Sequence, residues 1–290
     1  MLRLSNQVLN GISQIMLQQN RLCGILFLAG LFIGHWIYGL AALLAVLCGT
    51  LTARILKFDT KEIDSGLYGF SPALTGVVLV FLFKPVFAVW LLIIVGSVIS
   101  AILQQFLIKR NFPAYTFPFI LVSWVLIFLI RDMDSIPASE IETKEILSLS
   151  TDRLLIGTKS YGQVIFQSNT LAGILFFIGV LISSRAAGIY ALISAFLISF
   201  LALLIGQNPE SVNLGLYGFN PVLTAIVFAG IRPKDGFWVL ISILITFGIN
   251  LILVETDLLK AFGGVLTFPF VAGVWLSLLI QRFFQKETEK

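Results

Sequence analysis

A chain of 290 residues that is 58% hydrophobic and only 12% charged, with a mean hydropathy of +0.99, lies outside the range of soluble domains, which are about 45–50% apolar and about 25% charged. Its net charge of +4, from 19 Lys and Arg against 15 Asp and Glu, is explained below by loop bias and calls for no nucleic-acid partner. The composition therefore points to an all-α integral membrane protein.

Taken in chain order, residues 1–19 carry Arg3 but no long apolar core with a small-residue cleavage site, so no removable signal peptide is expected. Gly11–Gln19 is mildly apolar, holds glutamines and runs directly into a hydrophobic span. Spans are expected over 21–38, 39–56, 67–83, 85–108 and 116–131, then over 170–184, 186–206, 216–231, 236–255 and 264–283. No ten-residue alternation of a β-barrel is visible. A polar connection rich in Asp and Glu separates the two sets, giving a first half over 1–131, a linker over 132–159 and a second half over 160–290.

The halves repeat each other. Gly66–Thr75 reads GLYGFSPALT and Gly215–Thr224 reads GLYGFNPVLT, eight identities in ten positions at an offset of 149. Gln14 and Asn20 return as Gln163 and Asn169, while Thr116-Phe117-Pro118-Phe119 returns as Thr267-Phe268-Pro269-Phe270 at an offset of 151. Five spans per half is an odd number, so the second half is expected to enter from the opposite side, as an inverted-topology repeat. Thirteen of the nineteen basic residues fall at the termini and in the loops after the second, fourth, sixth and eighth spans, which places both termini in the cytoplasm and the linker outside.

Four segments are too short or too broken to be plain spans. Those from Thr116 and Thr267 carry proline two residues in, and proline fits the first turn of a helix, where its missing N–H is not needed. Together with Gly11–Gln19 and Gly162–Ser168 they are expected to be half-length helices starting inside the protein. Irregular backbone at membrane depth survives only against buried protein or a water-lined path, so these segments point to a permeation route.

The remaining polar groups carry no catalytic or metal chemistry. Cys23 and Cys48 stand singly in apolar runs, His35 sits beside Trp36 and Tyr38 as in an interfacial aromatic belt, and there is no P-loop or nucleophile with a base. No charge falls in a span centre, where ion-coupled pumps usually carry one. A passive transporter without cofactor is expected, not an enzyme.

At its paired motifs the chain resembles the urea transporter family, in a bacterial form. The two GLYGF segments resemble that family's repeated G-Y-G-F-N-x-x-L element, Gly11-Ile12-Ser13-Gln14 and Gly162-Gln163-Val164 its paired pore-helix starts, and the two T-F-P-F segments its T-x-P-F pair. The resemblance covers nearly the whole chain. It implies a homotrimer in the cell (inner) membrane, each protomer holding a central pore between two inverted halves of five transmembrane helices plus a re-entrant pore helix, with urea as the permeant. By position it implies that Gln14 and Gln163, with Ile15 and Val164 beside them, lie at the two ends of a slot. Thr116 and Thr267 would then stand near its middle, and Phe70, Leu74, Phe219 and Leu223 on its flat walls. Leu17 stands where relatives often show an aromatic, with Phe166 its counterpart, and Ser71 replaces the motif asparagine kept as Asn220.

The chemistry of the residues agrees. Urea is planar and neutral, with four N–H donors and one carbonyl acceptor, so a filter needs acceptors along one edge and apolar faces above and below. Glutamine oxygens, threonine hydroxyls and carbonyls freed at helix breaks supply acceptors, while Phe and Leu four residues apart share a helix face. The alternative is an aquaporin-like channel for water or small neutral solutes, suggested by Asn220-Pro221-Val222 and Ser71-Pro72-Ala73, but such channels have three spans per half.

Overall fold

The chain is described over residues 2–139 and 155–288 by a computed structural model, and the regular secondary structure of those residues is helical, with one isolated bridge between Phe83 and Ala138 besides. The first half holds α1 Leu2–Ser13, α2 Arg21–Gly34, α3 Trp36–Ile55, α4 Thr60–Asp64, α5 Phe70–Leu82, α6 Phe87–Lys109 and α7 Phe117–Ile130. The second holds α8 Ile156–Gln163, α9 Thr170–Ser183, α10 Arg185–Leu204, α11 Pro209–Asn213, α12 Phe219–Phe228, α13 Pro233–Glu255 and α14 Phe268–Thr288. Element order repeats, and so do lengths: α2 and α9 are both 14 residues, α3 and α10 both 20, α4 and α11 both 5, α6 and α13 both 23.

Helix starts recur too, for a shared local reason. A helix leaves its first N–H groups without intrahelical partners, and a short polar side chain satisfies them. Asn20 Oδ1 accepts from the N–H groups of Leu22 and Cys23, and Asn169 Oδ1 from those of Leu171 and Ala172. Asp59 and Asn208 cap α4 and α11 in the same way. His35, whose ring packs against Trp36 and Tyr38, also caps α3, its Nδ1 accepting from Ile37 N–H at 3.3 Å, as Ser184 Oγ accepts from Ala187 N–H at the start of α10.

Span lengths depart from ten equal crossings. Among the described residues α3, α6, α10 and α13 are long and apolar enough to cross a bilayer, and α1 with α2 forms a fifth such unit bent by 75°. The spans expected over 67–83 and 216–231 are helices of only 13 and 10 residues. Their GLYG segments are spent in turns instead. Gly66 and Gly215 take φ of +85° and +81°, which glycine alone adopts without cost, and a Cβ on either would lie 2.3 Å from Gly11 N or 2.6 Å from Ser160 N. These glycines let the turn lie directly on α1 and on α8.

The halves meet along α2 and α9. Phe27 and Phe176 pack edge to face at 4.9 Å between ring centroids, and the exchange is reciprocal: a Cβ on Gly30 would meet the Phe176 ring at 2.8 Å, and one on Gly179 the Phe27 ring at 2.8 Å. Small residues admitting a neighbour's aromatic ring are a usual means of packing helices in a membrane, where van der Waals fit replaces the hydrophobic drive.

Most of the expected linker, 140–154, lies outside the described residues. Where the chain is described, residues 137–139 run beside the end of α5, with Lys84 N–H donating to Pro137 O at 2.8 Å and Ser139 N–H to Leu82 O at 2.9 Å. Helix α8 opens at Ile156, so the linker's last four residues are helical, and Lys159 is buried on that helix at 3% exposure, not placed in a solvated connection.

Candidate functional site

Two kinds of helix end converge between the halves. The first is a carboxyl end. Helix α1 tightens into a 3₁₀ turn over Gln14–Met16 and stops at Leu17, whose φ is +59°; α8 stops at Gln163, and Phe166 takes φ of +60°. Gln14 and Gln163 therefore stand where helices finish, not where they begin, which corrects the expectation of inner helix starts at Gly11 and Gly162. The correction suits acceptor chemistry, because the last turn of a helix is the end that leaves carbonyls without intrahelical partners. It also fixes the glutamines: Gln14 Nε2 donates to Ser65 O at 3.1 Å and Gln163 Nε2 to Ser168 Oγ at 3.2 Å, so both amide oxygens are left to accept.

The second kind is an amino end. Thr116 precedes α7 and Thr267 precedes α14, each with proline in the first turn, as expected. Tyr115 and Leu266, the residues before them, both have positive φ, +45° and +49°. The two threonines are 0% and 1% exposed, and their hydroxyls lie 2.7 Å apart, a hydrogen bond joining the halves.

Between these ends run α5 and α12. The turn over Gln14–Met16 packs against α5, α5 packs against α7, and α7 touches α14; on the other side α8 packs against α12 and α12 against α14. Phe70, Leu74 and Leu223 on these helices are buried, and Phe219 is half-buried. Phe166 crosses into the first half, its ring stacked on Phe81 at 5.1 Å and edge-on to Phe119 at 6.5 Å. Leu17 is half-buried against the core, and Val164 is buried in it. Ile15 lies in the apolar seam between α2 and α9, with Phe27, Leu31, Ile165 and Phe176.

Several polar residues of this region carried no distinct signal in the sequence. Thr75 and Ser100 hydroxyls meet at 3.3 Å between α5 and α6, and Thr224 and Thr246 at 2.8 Å between α12 and α13. The last letter of the repeated decapeptide was the only hint. Gln167 is fully buried and its amide makes no protein hydrogen bond. Asn220 Nδ2 donates to Leu266 O at 3.2 Å, and its Oδ1 accepts from Phe270 N–H at 3.3 Å, which braces both sides of Thr267. Ser71, its first-half counterpart, is buried with no partner for its hydroxyl, being too short to span the same gap.

At the far end of α1, Arg3, Gln7 and Asn10 form one helical stripe tied to α4. Arg3 Nη2 lies 2.9 Å from Asp64 Oδ2, Gln7 Nε2 donates to Asp64 Oδ1 at 2.6 Å, and Asn10 Nδ2 to Asp64 O at 2.8 Å. The Arg3 hydrogen bond first, then that from Gln7, holds the Asp64 carboxyl below its ordinary range.

Over most of its length the chain is similar to known proteins. The family model described as urea transporter matches residues 5–282. Among curated proteins, urea transporter 1 of Mus musculus and that of Rattus norvegicus are each 28% identical over 251 residues, covering 79% of this chain and 64% of the relative. Urea transporter 1 of Ovis aries is 28% identical over 238 residues, covering 77% of this chain and 62% of the relative. The chain thus spans less than two thirds of the length of these relatives.

Proposed function

The chain belongs to the urea transporter family, and from that premise we propose that it carries urea passively across the cell (inner) membrane through a narrow slot between two inverted halves. The observation that carries the reading is the Thr116–Thr267 hydroxyl pair: two interrupted segments, one from each half, end on a buried polar contact that nothing in helix packing requires. In the reading, urea parts this contact and takes the hydroxyls as acceptors for its N–H groups, while Phe70, Leu74, Phe219 and Leu223 cover its flat faces. Gln14 and Gln163 oxygens, and carbonyls at the carboxyl ends of α1 and α8, accept the same groups at either end. A polar solute is thereby resolvated step by step, whereas an ion, which loses far more on desolvation, is refused.

The positions of Ile15, Leu17, Val164 and Phe166 beside the two carboxyl ends fit lining roles there. The aquaporin-like alternative is not favoured, since the Asn220 amide is engaged on the backbone around Thr267 on both of its sides. Assembly as a homotrimer and cytoplasmic termini complete the proposal; the first is supported by family resemblance and the second by the thirteen clustered basic residues. Stopped-flow urea flux in proteoliposomes tests the function. Flux should follow the urea gradient alone. Absence of flux, or dependence on a proton gradient, sodium or voltage, would refute it.

A further inference from the structure

Beside the end of α3 a cavity of about 450 Å³ is lined by Arg3, Arg54, Lys57 and Thr60 together with the apolar Phe58 and Ile63, and it shares no residue with the proposed slot. Arg3, Lys57 and Thr60 are exposed and Arg54 is half-buried, so the cations are open to a ligand from outside. Among the described residues no carboxylate lines the cavity. The carboxylates nearby are turned to other partners: Asp59 caps α4, Glu62 takes the Tyr68 hydroxyl and Asp64 takes Arg3. Arg54 is fixed through one nitrogen only, its Nε donating to Gln7 Oε1 at 2.8 Å, and its two terminal nitrogens make no hydrogen bond among the described residues. Lys57 has no ion-pair partner there either.

The cavity lies where the apolar surface of a span stops. Leu51, Ile55 and Leu56 are exposed at the end of α3, a helix long and apolar enough to cross a bilayer, and Lys57 follows directly, at the boundary of acyl chains and headgroups. Lys57 is also held in left-handed backbone, with φ of +57°, at the turn where the second half has Gly206 with φ of +84°. Glycine takes that conformation freely, whereas a residue with a Cβ is strained in it. The carboxyl end of α3 favours a cation, but by less than the backbone costs. At the 149-residue offset Arg54 answers to Leu203, so two of the three cations have no counterpart in the second half. A bias of basic residues toward one side accounts for charge in this loop, but not for a lysine set against its local preference beside a cavity.

We propose that this cavity binds the phosphate of an anionic phospholipid. The two terminal nitrogens of Arg54 suit phosphate oxygens as a planar fork, Lys57 adds a point charge and the Thr60 hydroxyl a further donor. Arg3, already paired with Asp64, adds donors but little net field. Phe58, Ile63 and the exposed end of α3 then meet the glycerol and first methylenes. Free phosphate has the same headgroup chemistry, but it makes no use of the apolar residues on either side of Lys57, and those favour the lipid.

Thermal unfolding of the full chain in an uncharged detergent, followed as phosphatidylglycerol is added, tests this against phosphatidylcholine of the same acyl chains and against inorganic phosphate alone. A ligand that binds only the folded state raises the unfolding temperature. Phosphatidylglycerol should do so saturably in the parent, and the other two should not. Lys57→Gly, which removes the charge and relieves the backbone, should fold at least as well as the parent yet need roughly 5-fold more lipid for half the effect, the share of one cation at an anionic surface. Lys57→Gln should show the same loss. Lys57→Arg, which keeps the charge, and Lys61→Gln, which removes an exposed cation outside the cavity, should titrate like the parent. Equal stabilisation by phosphatidylcholine, or an equal loss in Lys61→Gln, overturns the site by showing general lipid or diffuse charge effects. Equal stabilisation by inorganic phosphate overturns the lipid assignment. No arm measures flux, so failure here leaves the urea reading standing, and absence of urea flux leaves this site standing.

Discussion

The hydroxyls of Thr116 and Thr267, 151 residues apart in the chain, are hydrogen-bonded to each other at 2.7 Å with both side chains buried. Among the described residues each hydroxyl has the other as its hydrogen-bond partner, so their energetics are coupled. Thr116→Val or Thr267→Val removes one hydroxyl at nearly constant volume and leaves its partner unsatisfied, which costs about 1–3 kcal/mol of stability. The double variant removes both and should be close to the parent in thermal stability, because an apolar pair of the same shape replaces them. Flux should not recover with stability. If urea needs these acceptors at the barrier, single and double variants alike should be slowed by roughly 5- to 150-fold. Parent-like flux in the stable double variant would remove the threonines from the filter.

The repeated turn glycines make a second test. Gly66 and Gly206 have almost the same φ, +85° and +84°, but a Cβ on Gly66 would lie 2.3 Å from Gly11 N and 2.4 Å from Asn10 C, whereas nothing lies within 4 Å of one on Gly206. Gly206→Ala should cost only the left-handed backbone penalty, about 1–2 kcal/mol. Gly66→Ala adds a clash of backbone against backbone that no side chain can relieve. It should abolish a monodisperse peak in size-exclusion chromatography, and Gly215→Ala, beside Ser160 N, should do the same. Equal behaviour of Gly66→Ala and Gly206→Ala would show that the turn moves freely off α1.

These glycines and threonines were legible in the sequence because they recur: a motif kept in both halves marks a place where backbone or polar group meets a demand twice. Direction was harder to read. The segment before Gln14 is not apolar enough to resemble a membrane helix, since Arg3, Gln7 and Asn10 put polar side chains along one face; the helix consequently runs from Leu2 and ends at the glutamine that was expected near its start. Lys57 gave no repeat signal, because glycine holds the matching place after α10. Ser71 did stand out as a departure, and its buried, unpartnered hydroxyl is the structural consequence.

The polar stripe on α1 has its own pH dependence. Asp64 is held below its ordinary carboxyl range by Arg3 and Gln7, so its contribution to stability is full above the unfolded carboxyl range and is lost as pH falls through the lowered folded value. Asp64→Asn should be less thermally stable than the parent in detergent at neutral pH. The difference should begin to shrink near pH 4, where the unfolded chain takes up the proton, and vanish only below the lowered native value, where the native carboxylate follows. The Asn10 contact, made to the Asp64 backbone oxygen, persists at every pH and keeps α1 attached. A difference that grew on acidification would reverse the sign of the effect and refute the assignment.

Placement across the membrane follows from charge and can be read from labelling. Leu2 is 83% exposed on the α1 side that carries Arg3, and Ser135 is exposed after α7 where the polar connection begins. If thirteen clustered basic residues mark the cytoplasmic side, a cysteine at Ser135 in a background lacking Cys23 and Cys48 should react in intact cells with a membrane-impermeant thiol reagent. One at Leu2 should react only after permeabilisation. The same reagent then decides the relation between the halves: an inverted repeat requires Asp64, at the end of α4, and Asn213, at the end of α11, to lie on opposite sides, although they occupy matching places in the element order. Cysteines at both positions labelled from one side would mean parallel halves, and a slot built from opposed helix ends would lose its geometric basis.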